Sequence, residues 1–146
     1  MAGVELLYKN YGILADAGEA AGEHLEAYQS FIDATKASLP EKKLACQFIP
    51  KFFIHFPSLA DAAIDAQLDL CEEEETPLRC QAIKSLPDFC KDGSDHILRI
   101  TDILTQLLQQ VCTNYSDHFE AACQSMNSVP HLTMRGLLKI DPSLLH

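Results

Sequence analysis

The residues best equipped for chemistry lie between 71 and 96: Cys71, the run Glu72 to Glu75, Cys80, Cys90 and His96. Thiolates, carboxylates and imidazoles are the donors that zinc takes, and structural zinc asks for about four of them converging tetrahedrally, commonly in closely spaced pairs. Here the cysteines follow one another at nine and ten residues, and none of the 6 in the chain (Cys46, Cys71, Cys80, Cys90, Cys112, Cys123) falls in a CxxC pair. Such spacings put the thiols on different faces of different elements. The reading they favour is free cysteine packed as a small hydrophobe, with a thiol-based metal-binding or redox-sensing helical protein as the alternative. The glutamates carry two readings. One is a solvated turn whose charges favour the positive end of the helix that follows, with Arg79 folding back onto them. The other is an electrostatic patch of Glu72, Glu73, Glu74, Glu75 and Arg79 that receives a basic partner.

Catalysis finds no comparable constellation. The 6 histidines are scattered and none neighbours a recognisable nucleophile motif. GxGxxG, P-loop and HExxH patterns do not occur. The expectation is a protein without catalytic, cofactor or metal residues. With 11 Lys and Arg against 21 Asp and Glu, the formal charge is −10. A surface so acidic repels phosphate backbones and favours basic protein partners over nucleic acid.

The elements that would position these residues are helices. Apolar residues recur at helical spacing, glycine and proline are sparse, and no segment alternates with period two. VELLYKNYGILADA and GEHLEAYQSFIDAT read as two helices joined near GEAAG. SLPE offers Ser38 as N-cap with Glu41 closing a capping box. The helix it starts carries Leu44, Phe48, Phe52 and Phe56 in one stripe, with a kink expected at Pro50. FPSLAD starts the next, with Ser58 as cap and Leu59, Ala63, Ala66 and Leu70 inward. Thr76 and Pro77 open a helix presenting Leu78, Ala82, Ile83, Leu86 and Phe89. KDGS then breaks the chain before the stripe Ile97, Ile100, Leu104, Leu107, Val111. Leu104, Leu107 and Leu108 also spell LxxLL, a motif that docks helices into grooves. They share the stripe of Ile97 and Ile100, so core packing is the reading preferred over docking.

LACQFI at 44–49 and LRCQAI at 78–83 share Leu, Cys, Gln and Ile in register, 34 residues apart, and DAQLDL and LTQLLQ echo one another more weakly. That offset between helix pairs is the mark of a helical solenoid, in which each pair needs its neighbour to bury its apolar face. The fold expected is all-α, a right-handed helical solenoid of antiparallel helix pairs, over residues 1–110. LDLCEEEETPLRCQAIKSL resembles a HEAT repeat, with Leu78 and Arg79 at its aliphatic-Arg positions and Ala82 and Leu86 at the inward sites. The earlier copy has Ala45 in place of the arginine.

YKNYGILADA, QFIPKFFIHFPSLADAAIDAQLDLCE, RCQAIKSLPDFC and DILTQLLQ together resemble the start of the apoptosis inhibitor 5 family, also called anti-apoptosis clone 11, over residues 4–109. The resemblance implies a HEAT-like then armadillo-like solenoid and a non-enzymatic negative regulator of apoptosis that acts by binding proteins. It implies Acinus and a fibroblast growth factor as partners, and residence in the nucleus. No basic import cluster stands in this chain, Lys42 and Lys43 being a weak pair, so both nucleus and cytoplasm are expected. Neither a basic start with an apolar run nor a stretch of about 18 apolar residues is present, and a soluble protein without membrane association is expected. Family members are several times longer. After Gln110 the sequence is read as leaving the family pattern, so 111–146 is expected to be a divergent tail with helices at most near SDHFEAACQSM and LTMRGLLK. A truncated isoform or a gene model is the corresponding expectation, with self-association through an uncapped last repeat.

Overall fold

The computed structural model describes residues 2–90 and 96–111, the latter with side chains as far as Leu107. Among the described residues the chain is all-helical, as the spacing of its apolar residues requires, and contains no strand. The helices are α1 (Ala2–Ala17), α2 (Leu25–Ala34), α3 (Leu39–Phe52), α4 (Ala60–Cys71), α5 (Thr76–Ser85) and α6 (Ile97–Val111). None of them is long and apolar enough to cross a membrane. Two compact units divide the chain, Met1–Leu78 and a second that begins at Arg79, so α5 starts in the first and runs into the second. The KDGS break and everything after Val111, where helices near SDHFEAACQSM and LTMRGLLK were expected, lie outside the described residues.

The first unit is built around rings. α1 packs on α2 and α3, and α3 packs on α4. Phe31 of α2, fully buried, has Phe48 and Phe52 of α3 at ring-centre distances of 5.2 and 6.3 Å and Tyr28 at 6.1 Å. Tyr28 stacks on Phe56 at 4.2 Å with the planes 6° apart. From α1, Tyr11 reaches Phe48 at 4.7 Å and Phe52 at 5.5 Å, and Lys51 lies over the Tyr11 ring at 4.8 Å. Offset and edge-on ring pairs of this kind add roughly 0.5–1.5 kcal/mol each beyond the area they bury. Tyr28 also donates its hydroxyl to the Ile49 carbonyl at 2.8 Å. That carbonyl sits in the last turn of α3, where the intrahelical donors run out, so a buried acceptor is satisfied from the neighbouring helix.

Local signals were right about where helices begin more often than about how. Ser38 has the extended backbone of an N-cap, and its carbonyl accepts from Lys42 N at 2.9 Å, but its side chain makes no cap bond. The capping box does not form. Glu41 instead turns its carboxylate to Gly3 in the first turn of α1, where the helix end is positive. Ser58 is not a cap either: a 3-10 turn, Pro57–Leu59, precedes α4, which starts at Ala60 with Leu59 half-buried in the cap position. The long helix expected from 38 through Phe56 stops at Phe52 and tightens into a 3-10 turn, Phe53–His55. Pro50 has no N–H for the Cys46 carbonyl, so the ladder weakens there, and the bond Phe56 N–H to Phe53 O at 3.1 Å closes the tighter turn. Phe56 is still buried, but not as part of one helical stripe.

In the second unit α5 yields to a 3-10 turn, Leu86–Cys90, because Pro87 disfavours helical backbone at the residue before it. Ala82, Ile83, Leu86 and Phe89 are all buried, as is Leu78 at the end of the first unit, as their spacing predicts. α6 packs on that turn with Ile100 and Leu104 fully buried, while Ile97 is half-buried. Buried Thr101 and Thr105 are satisfied along the helix, donating to the carbonyls of Ile97 at 2.6 Å and Thr101 at 2.8 Å.

Two glycines shape the junction between α1 and α2. Gly18, at φ 55°, ends α1 in the left-handed conformation that a side chain resists. Gly22 lies under the Phe53–His55 turn, and a Cβ there would stand 2.7 Å from the His55 carbonyl oxygen. Gly12, within α1, has nothing within 4 Å of the same position. Gly22→Ala therefore destabilises by roughly 1–3 kcal/mol through backbone displacement, whereas Gly12→Ala stabilises by roughly 0.5–1 kcal/mol. Urea melts of the two variants check this; shifts of the same sign would contradict the close approach.

Candidate interaction surface

The acidic run leaves α4 as a turn, with Glu72 N–H donating to Asp69 O at 3.2 Å and Glu73 N–H to Leu70 O at 3.4 Å. Glu72 and Glu74 are exposed, Glu73 and Glu75 half-buried. Glu73 meets Lys42, in the first turns of α3, through a 2.7 Å ion pair whose side chains are 23% and 22% exposed. This contact joins residues 31 positions apart, a separation that leaves no local signal in the sequence. A single half-buried pair of this kind contributes about 1 kcal/mol and weakens with salt. The turn is thus anchored to α3 through Glu73 and leaves Glu72 and Glu74 exposed. Arg79 is half-buried on α5.

Of the LxxLL leucines, Leu104 is fully buried and Leu107 is 8% exposed, so both face inward and are closed to a partner's groove. Core packing, the preferred reading, describes them; the side chain of Leu108 is outside the described residues.

The thiols are buried rather than assembled. Cys46, Cys71 and Cys90 are buried and Cys80 half-buried, and none of the four is in a disulfide. Among the described residues no three His, Cys, Asp or Glu side chains converge as metal ligands would. The repeat places Cys46 and Cys80 at one register position, yet they differ in burial; Ile49 and Ile83 are both buried and Gln47 and Gln81 both exposed. Burial pushes the Cys46 thiol up to about 11, against a weaker opposing bond donated by Gln67 Nε2 at 3.9 Å. Burial likewise raises Cys71, helped by the charges of Cys46 and Glu72. Since the thiolate is the reactive form, these positions are inert at neutral pH. The sign for stability follows: burying the protonated Cys46 thiol stabilises fully below its ordinary value of 9.0, and the benefit is lost as pH climbs from there towards about 11. In native protein at neutral pH, Cys46 and Cys71 will react with Ellman's reagent more slowly than Cys80, and unfolding in urea will level the rates. Equal rates before unfolding would contradict the burial.

Among the described residues the titratable groups form no metal-binding cluster, and the family is shown by similarity. The profile described as apoptosis inhibitory protein 5 matches residues 4–138. The chain belongs to the apoptosis inhibitory protein 5 family. Apoptosis inhibitor 5 of Gallus gallus is 53% identical over 135 residues, which is 92% of this chain and 25% of the relative. That of Homo sapiens is 52% identical over 135 residues, again 92% and 25%. The Drosophila melanogaster homolog is 51% identical over 108 residues, 74% of this chain and 20% of its own length. The chain thus spans about a quarter of the length of the family members it matches. Similarity to the apoptosis inhibitory protein 5 family also runs past Gln110, where the sequence reading had it end.

Proposed function

We propose that this chain is a non-enzymatic, protein-binding helical segment that restrains apoptosis. The observation that carries the reading is its identity of 52–53% with apoptosis inhibitors across 92% of its length. Its buried Cys46 and Cys71 thiols, held protonated, and its exposed Glu72 and Glu74 carboxylates favour a surface function over a chemical one. The helix pairs repeat in register as a HEAT-like solenoid. In support, consecutive helices pack on one another from α1 to α4, and the matched positions Gln47 and Gln81, Ile49 and Ile83 share their exposure. Partners are basic proteins drawn to the −10 chain, with Glu72 to Glu75 and Arg79 among the contacts. Acinus and a fibroblast growth factor are the candidates the family suggests, and the chain works in the nucleus and cytoplasm. Expression in cells given an apoptotic stimulus tests the reading: caspase activation falls relative to empty vector, and unchanged activation sinks it.

A further inference from the structure

A groove of about 650 Å³ lies in the first unit, between α1 and the start of α2. Leu6 and Ile13, seven residues apart on α1, line it from one side and Leu25 from the other. They are 49%, 36% and 47% exposed, although Leu7 and Leu14, the next residues along α1, are buried in the core. α1 is therefore apolar on two faces, one used by the fold and one left to solvent. Three large aliphatic side chains thus line one concavity with their surfaces open to solvent. Its polar floor is already tied, Asn10 Nδ2 donating to Ser30 Oγ at 2.8 Å and Ser30 Oγ to the Ala27 carbonyl at 2.6 Å. The charged residues lining it, Glu23 and Glu26, are both acidic, exposed and without a Lys or Arg among the groove's residues.

We infer that this groove docks a short peptide segment of another protein, anchored by an aliphatic or aromatic side chain and flanked by Lys or Arg. The anchor fills the space between Leu6, Ile13 and Leu25, and the basic residues meet Glu23 and Glu26. Apolar contacts at such sites supply most of the affinity, and the charges select the partner and steer its approach. The inference rests on the protein-binding reading of the chain, but not on the acidic turn after α4.

Selection of a random 12-residue phage library on the immobilised chain tests it, with Leu6→Ser/Leu25→Ser as the counter-selection. Both leucines are exposed, and an unchanged circular-dichroism melt will show that the variant keeps its fold. Enriched peptides should carry an apolar anchor with Lys or Arg beside it, and should bind the double variant at least about tenfold more weakly. Glu23→Lys/Glu26→Lys should reverse the charge preference. Failure to enrich, binding indifferent to both variants, or a preference for acidic peptides would each overturn the groove. The caspase measurement is independent of these outcomes, so a failed groove and a failed functional reading are distinguishable.

Discussion

Replacing Phe31 with alanine will destabilise the first unit by roughly 3–5 kcal/mol, the usual cost of emptying a buried phenylalanine site. The ring is fully buried, and three other rings, Tyr28, Phe48 and Phe52, have their centres within 6.3 Å of its own. Those neighbours belong to α2 and α3, which pack on α1 as well as on each other. The cavity cannot close without moving a helix, which places the cost high in the range. Native domains hold only about 5–15 kcal/mol of net stability, so the variant will lie near the edge of folding. Phe31→Leu keeps most of the volume and should cost less than about 1.5 kcal/mol. The chain has no tryptophan, and 3 of its 4 tyrosines, Tyr8, Tyr11 and Tyr28, lie in α1 and α2. Urea unfolding followed by tyrosine fluorescence therefore reports on this unit. A loss below about 1 kcal/mol for the alanine variant would show that the rings do not organise it.

That core was partly legible beforehand. Phe48 and Phe52 stand at helical spacing, and a stripe of phenylalanines is an inward face whatever the neighbours are. The tyrosines were not legible as core: Tyr28 is buried because Ile49, 21 residues away, offers a carbonyl to its hydroxyl, and no local rule foretells that partner. Helix starts at Ser38 and Ser58 show the same divide. Residue type marked the neighbourhood of each boundary, but the capping bonds lost to tertiary alternatives, Glu41 turning to α1 and Pro57 building a 3-10 turn. Thr76 and Pro77 succeeded because proline acts through its own fixed φ and missing donor, which no distant contact changes.

The candidate surface divides in the same manner. That Glu72 to Glu75 form a turn followed from their position between two helical stripes. The Lys42 contact that anchors it did not, since it depends on how α3 meets α4. Leu104 and Leu107 of the LxxLL motif are buried, on the stripe they share with Ile100. The groove beside Leu6, Ile13 and Leu25 was invisible from spacing: α1 looks uniformly amphipathic until Leu7 and Leu14 are seen to take the inward face.

Caspase activity in stimulated cells tests most directly whether the chain acts, as proposed, through folded surface rather than thiol chemistry. Cells expressing the chain should show reduced caspase activation relative to empty vector. Cys46→Ser should retain that protection, because the thiol is buried and held protonated. Phe31→Ala should lose it together with the fold, and Glu72, Glu73, Glu74 and Glu75 all changed to Gln should weaken it at a stability cost of no more than about 1 kcal/mol, from the lost Glu73–Lys42 pair. Protection that survives Phe31→Ala but disappears with Cys46→Ser would contradict the account.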